Sequence, residues 1–237
     1  MMALPRLVLV PGLDGTGLLF APFLREWPGP STVLSLPADP ELGYEGLLAH
    51  LRPILPQGEP FLLLGESFSG PLVLRIAETP PAGLLGIVLC VTFARNPLGR
   101  LGGLARMLAR PHLLPLLPRS FLRRQMLDGE GSPDLHALLE KVLGLTPAVV
   151  LATRIRALTQ VDATPSLRAC QLPLLVLSAR SDHVVRHHCT RHLLKHAPTA
   201  EWVEFPGPHL LLQTRPEPAA KSILAFMQHN NLMTNGQ

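Results

Sequence analysis

Short apolar runs recur along this chain, each parted from the next by a longer stretch whose apolar residues have helical spacing. Leu7–Val10, Thr32–Leu36, Phe61–Leu64, Gly86–Thr92, Leu174–Ser178 and Trp202–Phe205 read as strands. Leu42–Leu55 reads as an amphipathic helix with Leu47, Leu48 and Leu51 on one side, and Pro218–Gln228 as a closing helix with Ile223, Leu224 and Met227 inward. Strand–helix alternation is satisfied by a parallel sheet covered on both faces by helices. The residue supply agrees: 47% of the chain is hydrophobic and only 5% aromatic, so Leu, Val and Ala fill strands buried on both sides. In such sheets reactive groups gather outside the carboxyl ends of the strands.

The alternation breaks between about Arg95 and Leu167, where the text is Leu, Arg and Pro with helical periodicity and no strand. A chain of 237 residues suits one domain, so residues 95–167 are expected to be a helical cap inserted in a single domain spanning 1–237. Ser132-Pro133 and Thr146-Pro147 read as N-cap and first-turn pairs opening helices over Pro133–Leu143 and Pro147–Leu158. The polar tail Asn230–Gln237 is expected to fray.

Charge and cysteines narrow the class. The net charge is +4, and no basic block is interleaved with aromatics, so nucleic acid is not an expected partner. Cys90, Cys170 and Cys189 are odd in number and widely spaced, which gives neither a disulfide framework nor a zinc site; Cys90, in an apolar run, reads as core. Leu7–Val10 is too short for a signal sequence, and no stretch of transmembrane length lacks Pro or charge. A cytoplasmic location and no stable membrane insertion are expected.

Three residues stand at matching strand ends. Ser67, in Gly65-Glu66-Ser67-Phe68-Ser69-Gly70, lies where an apolar strand gives way to a helix, and small neighbours leave room for a sharp bend. A serine hydroxyl needs a base and an acid to become a nucleophile. Asp182 follows the strand Leu174–Ser178, and His209 lies beyond the next strand in a Gly-Pro loop. His209 would take the Ser67 proton, Asp182 would fix the imidazole tautomer, and Ser67 would attack an acyl carbon. The resulting oxyanion needs fixed donors; the backbone N–H of Phe68 and of Leu13, in the Gly-rich loop Pro11–Gly17, are assigned to it. Asp162 is a rival acid. Asp14 reads as an Asx turn, with a place near the substrate as the alternative, and His188, His192 and His196, four residues apart with His187 adjacent, read as a solvated helix face. Neither a metal nor another cofactor is expected.

Over nearly its whole length the sequence resembles the α/β-hydrolase superfamily, above all its compact bacterial esterases and thioesterases, through Pro11-Gly12-Leu13-Asp14-Gly15-Thr16-Gly17 and the Ser67 segment. The resemblance implies an α/β-hydrolase fold, an eight-stranded, mostly parallel sheet with a lid over a catalytic triad. Because the first strand here corresponds to the third of that sheet, about six strands are expected. Two positions depart from the superfamily pattern: Pro11-Gly12 stands where His-Gly is usual, and Ser69 where the second elbow glycine is usual. The expected function is a serine hydrolase cleaving small acyl esters or thioesters through an acyl-enzyme, with an acyltransferase or an idle scaffold used for binding as alternatives. Arg100, Arg106, Arg110, Arg119, Arg123 and Arg124 read as a solvated face; docking of an acidic acyl carrier, whose ester the enzyme would hydrolyse, and contact with a membrane surface are the alternatives there.

Overall fold

The computed structural model describes residues 2–235. Six strands form one all-parallel sheet: β2 (Arg6–Val10), β3 (Ser31–Val33), β4 (Phe61–Glu66), β5 (Leu84–Cys90), β6 (Leu174–Ala179) and β7 (Glu201–Phe205), in the order β3-β2-β4-β5-β6-β7. Two-residue segments β1 (Met2–Ala3) and β8 (Thr234–Asn235) pair antiparallel beside it.

Side-chain alternation splits the core in two. Val8, Val10, Phe61 and Leu63 face a layer made by α2 (Tyr44–Leu51), α3 (Gly70–Glu78), α8 (Thr164–Ala169) and α9 (His187–His196). Leu7, Leu9, Leu62 and Leu64 face α1 (Ala21–Glu26), α10 (Leu211–Thr214) and α11 (Pro216–His229) on the other side. Successive residues of a strand point to opposite faces, so an unbroken run such as Phe61–Leu64 serves both layers.

Between β5 and β6 the chain contributes α4 (Gly102–Leu108), α5 (Arg119–Leu127), α6 (Pro133–Leu145) and α7 (Ala148–Leu158) before reaching α8. A short antiparallel neck ties this excursion to the sheet: Arg95 bridges Asp162, Asn96 N–H donates to Val161 O at 3.0 Å, and Ala163 N–H to Ala94 O at 2.7 Å. A third core beneath it joins Leu127, Leu135, Leu139 and Val142 to Leu19 and Leu210.

Some boundaries differ from the sequence reading, each for a local reason. β3 ends at Val33, because the N–H of Leu36 turns away to Gly15 O at 2.8 Å. α2 spans Tyr44–Leu51 and passes into one 3₁₀ turn at Arg52–Ile54, where Pro53 has no N–H to continue the ladder. Ser132 caps α6 by accepting from Leu135 N–H. Thr146 ends α6 rather than starting α7: α7 begins at Ala148, and the Thr146 hydroxyl donates to Asp14 O at 2.9 Å. The start of the tail is held rather than frayed, since Leu232 is buried and Asn230 Nδ2 donates to Glu201 Oε1 at 2.6 Å; residues 236 and 237 lie outside the described residues.

Candidate active site

Ser67 sits on the turn from β4 to α3 with φ 51°. A left-handed backbone costs a residue with a Cβ about 1–3 kcal/mol, and the surroundings hold it there. The Thr92 hydroxyl donates to Ser67 O. A Cβ at Gly65 would stand 2.7 Å from Val73 Cγ2 and 3.0 Å from Ser69 O, so the strand–helix approach requires glycine. Ser69 is fully buried, and its hydroxyl donates to Pro11 O. Both departures from the usual superfamily pattern thus meet in one hydrogen bond, which ties the Gly-rich loop to the elbow.

Asp182, just beyond β6, and His209, in the loop after β7, reach Ser67 from the same end of the sheet. Asp182 Oδ1 accepts from the N–H groups of Val184 and Val185 at 2.8 and 2.7 Å, which leaves Oδ2 aimed at His209 Nδ1, 2.8 Å away. A carboxylate only accepts, so Nδ1 carries the proton and Nε2 is left as the acceptor. Ser67 Oγ–H donates to it at 3.0 Å. Burial opposes charge on His209, yet the Asp182 carboxylate, by its charge and hydrogen bond, and the Glu66 charge together raise the imidazole above its ordinary value of 6.5.

The Gly-rich loop lies over the serine. A Cβ at Gly12 would touch Ser67 Cβ at 3.5 Å. Asp14 forms the Asx turn, accepting from Thr16 N–H at 2.8 Å. Among the described residues no turn, cap or loop hydrogen bond uses the N–H of Leu13 or of Phe68. Phe68 is itself fixed from behind, its carbonyl accepting from Tyr44 Oη at 2.9 Å and its ring stacked on Tyr44 at 4.6 Å.

Sequence reasoning missed two groups. Arg154, on α7, is 1% exposed. Its Nη1 donates to Leu13 O at 2.7 Å and its Nη2 to Pro37 O at 2.9 Å. Gly15, at φ 74°, makes room for it, since a Cβ there would lie 2.9 Å from Arg154 Cζ. With Thr146 on Asp14 O, the excursion between β5 and β6 grips two successive carbonyls of the Gly-rich loop. The available signal was a charge on the apolar stripe of α7, four residues after the buried Val150. Glu66, beside the serine, is also buried; burial pushes its carboxyl up to about 7 against the pull of the Gln213 amide, which donates to Oε1 at 3.0 Å, and of His209.

The rival acid Asp162 does other work: Oδ1 accepts from Thr164 N–H at 2.8 Å at the start of α8. The histidine row is not simply solvated. His188 Nε2 meets Pro97 O at 3.1 Å and His192 Nε2 meets Thr164 Oγ1 at 2.9 Å, so α9 is pinned to the neck and to α8. Cys90 is fully buried in the sheet core. Among the described residues no group of three or more His, Cys, Asp or Glu is placed to hold a metal ion.

No protein-family model and no curated protein sequence matches the chain. Solved structures do match in fold. An enol-lactonase from Burkholderia xenovorans LB400 aligns with a TM-score of 0.82 at 20% identity, over 94% of this chain and 91% of that one. A bromoperoxidase from Bacillus anthracis aligns with 0.81 at 17% identity, over 94% and 92%. An esterase from Exiguobacterium antarcticum aligns with 0.77 at 12% identity, over 96% and 93%. The fold is that of the α/β-hydrolases.

Proposed function

We propose that this α/β-hydrolase-fold protein is a serine hydrolase that cleaves carboxylic esters or thioesters through an acyl-enzyme. The observation that carries the reading is the unbroken relay from Ser67 Oγ through His209 to Asp182, with hydrogen bonds of 3.0 and 2.8 Å.

Ser67 Oγ attacks the acyl carbon while its proton passes to His209 Nε2. Asp182 stabilises the imidazolium that results without taking the proton itself. Negative charge moves to the carbonyl oxygen, where the N–H groups of Leu13 and Phe68 receive it, each such donor being worth about 3–4 kcal/mol of barrier. Collapse of the tetrahedral species breaks the bond to the leaving oxygen or sulfur, and His209 returns its proton to that group. Water then gives a proton to His209, attacks the acyl-Ser67 carbonyl and releases the acid, restoring the serine hydroxyl. The superfamily likeness supports the same chemistry: an enol-lactonase and an esterase share the fold, and both names describe action on an acyl–oxygen bond. We assign the helical excursion, residues 95–167, as the cap over this site.

Ser67→Ala tests the reading. Turnover of a p-nitrophenyl ester should fall by about a millionfold, as expected when one member of a relay acting as a unit is removed, and labelling by a fluorophosphonate should vanish while the fold persists. Wild-type turnover in that variant would end the proposal. A wild-type protein that neither turns over esters or thioesters nor takes the label would favour an idle scaffold.

A further inference from the structure

We propose that the segment Leu101–Phe121 is a docking face for an anionic membrane surface. Helix α4 is turned inside out by the usual standard of a water-soluble helix. Its small residues, Gly102 and Ala105, followed by Ala109, fall at i, i+3 and i+7; Gly102 and Ala109 are buried and Ala105 is partly covered. Its long apolar residues Leu104, Met107 and Leu108, with Leu101 in the 3₁₀ turn just before it, share the other side and are exposed, Leu101 by 63% and Met107 by 58%. A helix facing water on one side buries its leucines; this one shows them. The chain then continues through Leu116, 73% exposed, and Leu117 to Phe121. Seven of the thirteen large apolar side chains exposed among the described residues lie within residues 101–121, so the face is a concentration rather than the ordinary scatter of surface apolar groups.

Charge selects the occupant. Residues 100–127 hold six arginines and no aspartate or glutamate. Among the described residues only Arg119 of the six has an ion pair, with Glu140 at 3.2 Å. On α5, Ser120, Arg123 and Arg124 share a face and line an open cleft of about 420 Å³ with His136, Gly129 and Asp128, next along the chain to the exposed Phe121. Leucine, methionine and phenylalanine to enter the acyl boundary, flanked by guanidinium groups to meet phosphate, are the parts of an interfacial helix. A second copy of the chain would set arginine against arginine. An acidic protein would need an apolar groove set among its carboxylates to take both the arginines and the long aliphatic side chains, whereas an anionic bilayer presents both layers along its whole surface. Among the described residues no single helix is long and apolar enough to cross a membrane, and the proposed contact is peripheral. It goes beyond the hydrolase reading and can be measured on the Ser67→Ala protein, so the two stand or fall separately.

The experiment is co-sedimentation of the full chain with phosphatidylcholine vesicles, with and without phosphatidylglycerol. Binding is expected only with the anionic lipid and should be released by salt. Arg106→Glu and Arg110→Glu should each weaken it by about fivefold or more. Leu104→Ser, Met107→Ser and Leu108→Ser together should weaken it by at least about tenfold. All five positions are exposed or carry no ion pair, so melting curves should stay close to wild type; if the serine variant melts early, the two charge variants keep the test intact. Equal binding to neutral vesicles, no binding to either, or binding untouched by both sets of variants would overturn the proposal. So would a dimer in sedimentation velocity that the serine variant abolishes, or capture by an acidic acyl carrier protein without capture by vesicles.

Discussion

At Asp182, one carboxylate is divided between two tasks. Oδ1 is spent on the Val184 and Val185 N–H groups and Oδ2 on His209, so the side chain cannot rotate without giving up a bond to the backbone. That rigidity sets the imidazole tautomer. Asp182→Asn keeps the shape but offers an amide that can donate to Nδ1, which would move the imidazole proton to Nε2 and leave Ser67 without a base. A fall in kcat of about 10⁴ is expected, with KM little changed; a loss of less than about tenfold would show that the tautomer is fixed by something else. The pH profile follows from the same pair. His209 must be neutral to accept the serine proton, and its neighbours raise it above 6.5, so the acid limb of kcat/KM in the wild type should have its midpoint above that value. A midpoint at or below 6.5 would contradict the assigned environment. That Ser67, Asp182 and His209 meet was legible before any coordinates because each residue stands at a strand end in the order serine, acid, histidine. Tyr44, Thr92 and Gln213 were not legible: they reach Phe68 O, Ser67 O and Glu66 from 24, 25 and 147 residues away, and no local period encodes such meetings.

The elements that matter most are the Gly-rich loop and α7, because the second would hold the first. Arg154 places one planar cation against the carbonyls of Leu13 and Pro37, and the peptide that carries the Leu13 N–H is the one just before the gripped carbonyl. Arg154→Met should therefore lower kcat by up to about 10²–10³, the value of one oxyanion donor, with a smaller change in KM. Stability should fall by about 1–3 kcal/mol for each carbonyl left without a partner. Arg154→Lys should rescue little, since a single ammonium lacks the fork that spans two acceptors. A variant assayed well below its melting temperature with wild-type kcat would show that α7 braces the fold and not the reaction. The sequence reading placed α7 and the loop correctly as separate elements. Their union escapes a sequence reading because Thr146-Pro147 has the pattern of a helix start while the Thr146 hydroxyl goes to Asp14 O, and because the Arg154 charge on the apolar stripe of α7 carries no local mark of the loop it holds.

For the whole molecule, strand–helix rhythm was enough to give the sheet, since each short apolar run had to be covered on both faces and only one layered arrangement does that. What rhythm does not convey is the cost of placing an acid inside that arrangement. Glu66 ends β4 with a side chain buried beside His209, and its carboxyl is pushed up to about 7 from 4.5. Unfolded, it would titrate near 4.5. Between those values the folded chain holds a proton that the unfolded chain has released, so stability must fall as pH rises through the window, by on the order of 3 kcal/mol once both states are ionised. His209, raised above 6.5, adds a loss of the same sign: its stabilising protonated form is present at low pH and disappears as pH rises through its folded value. Glu66→Gln removes the first effect, keeps a hydrogen-bonding group facing Gln213, and weakens the second by deleting a charge that favours protonated His209. The variant should thus gain on the wild type as pH rises from about 5 to about 8, while the acid limb of its activity moves to lower pH. Thermal melts of the two proteins across that range decide the matter. Parallel curves would mean that Glu66 ionises in the fold as it does in water, and that the buried carboxyl beside the serine carries no energetic penalty.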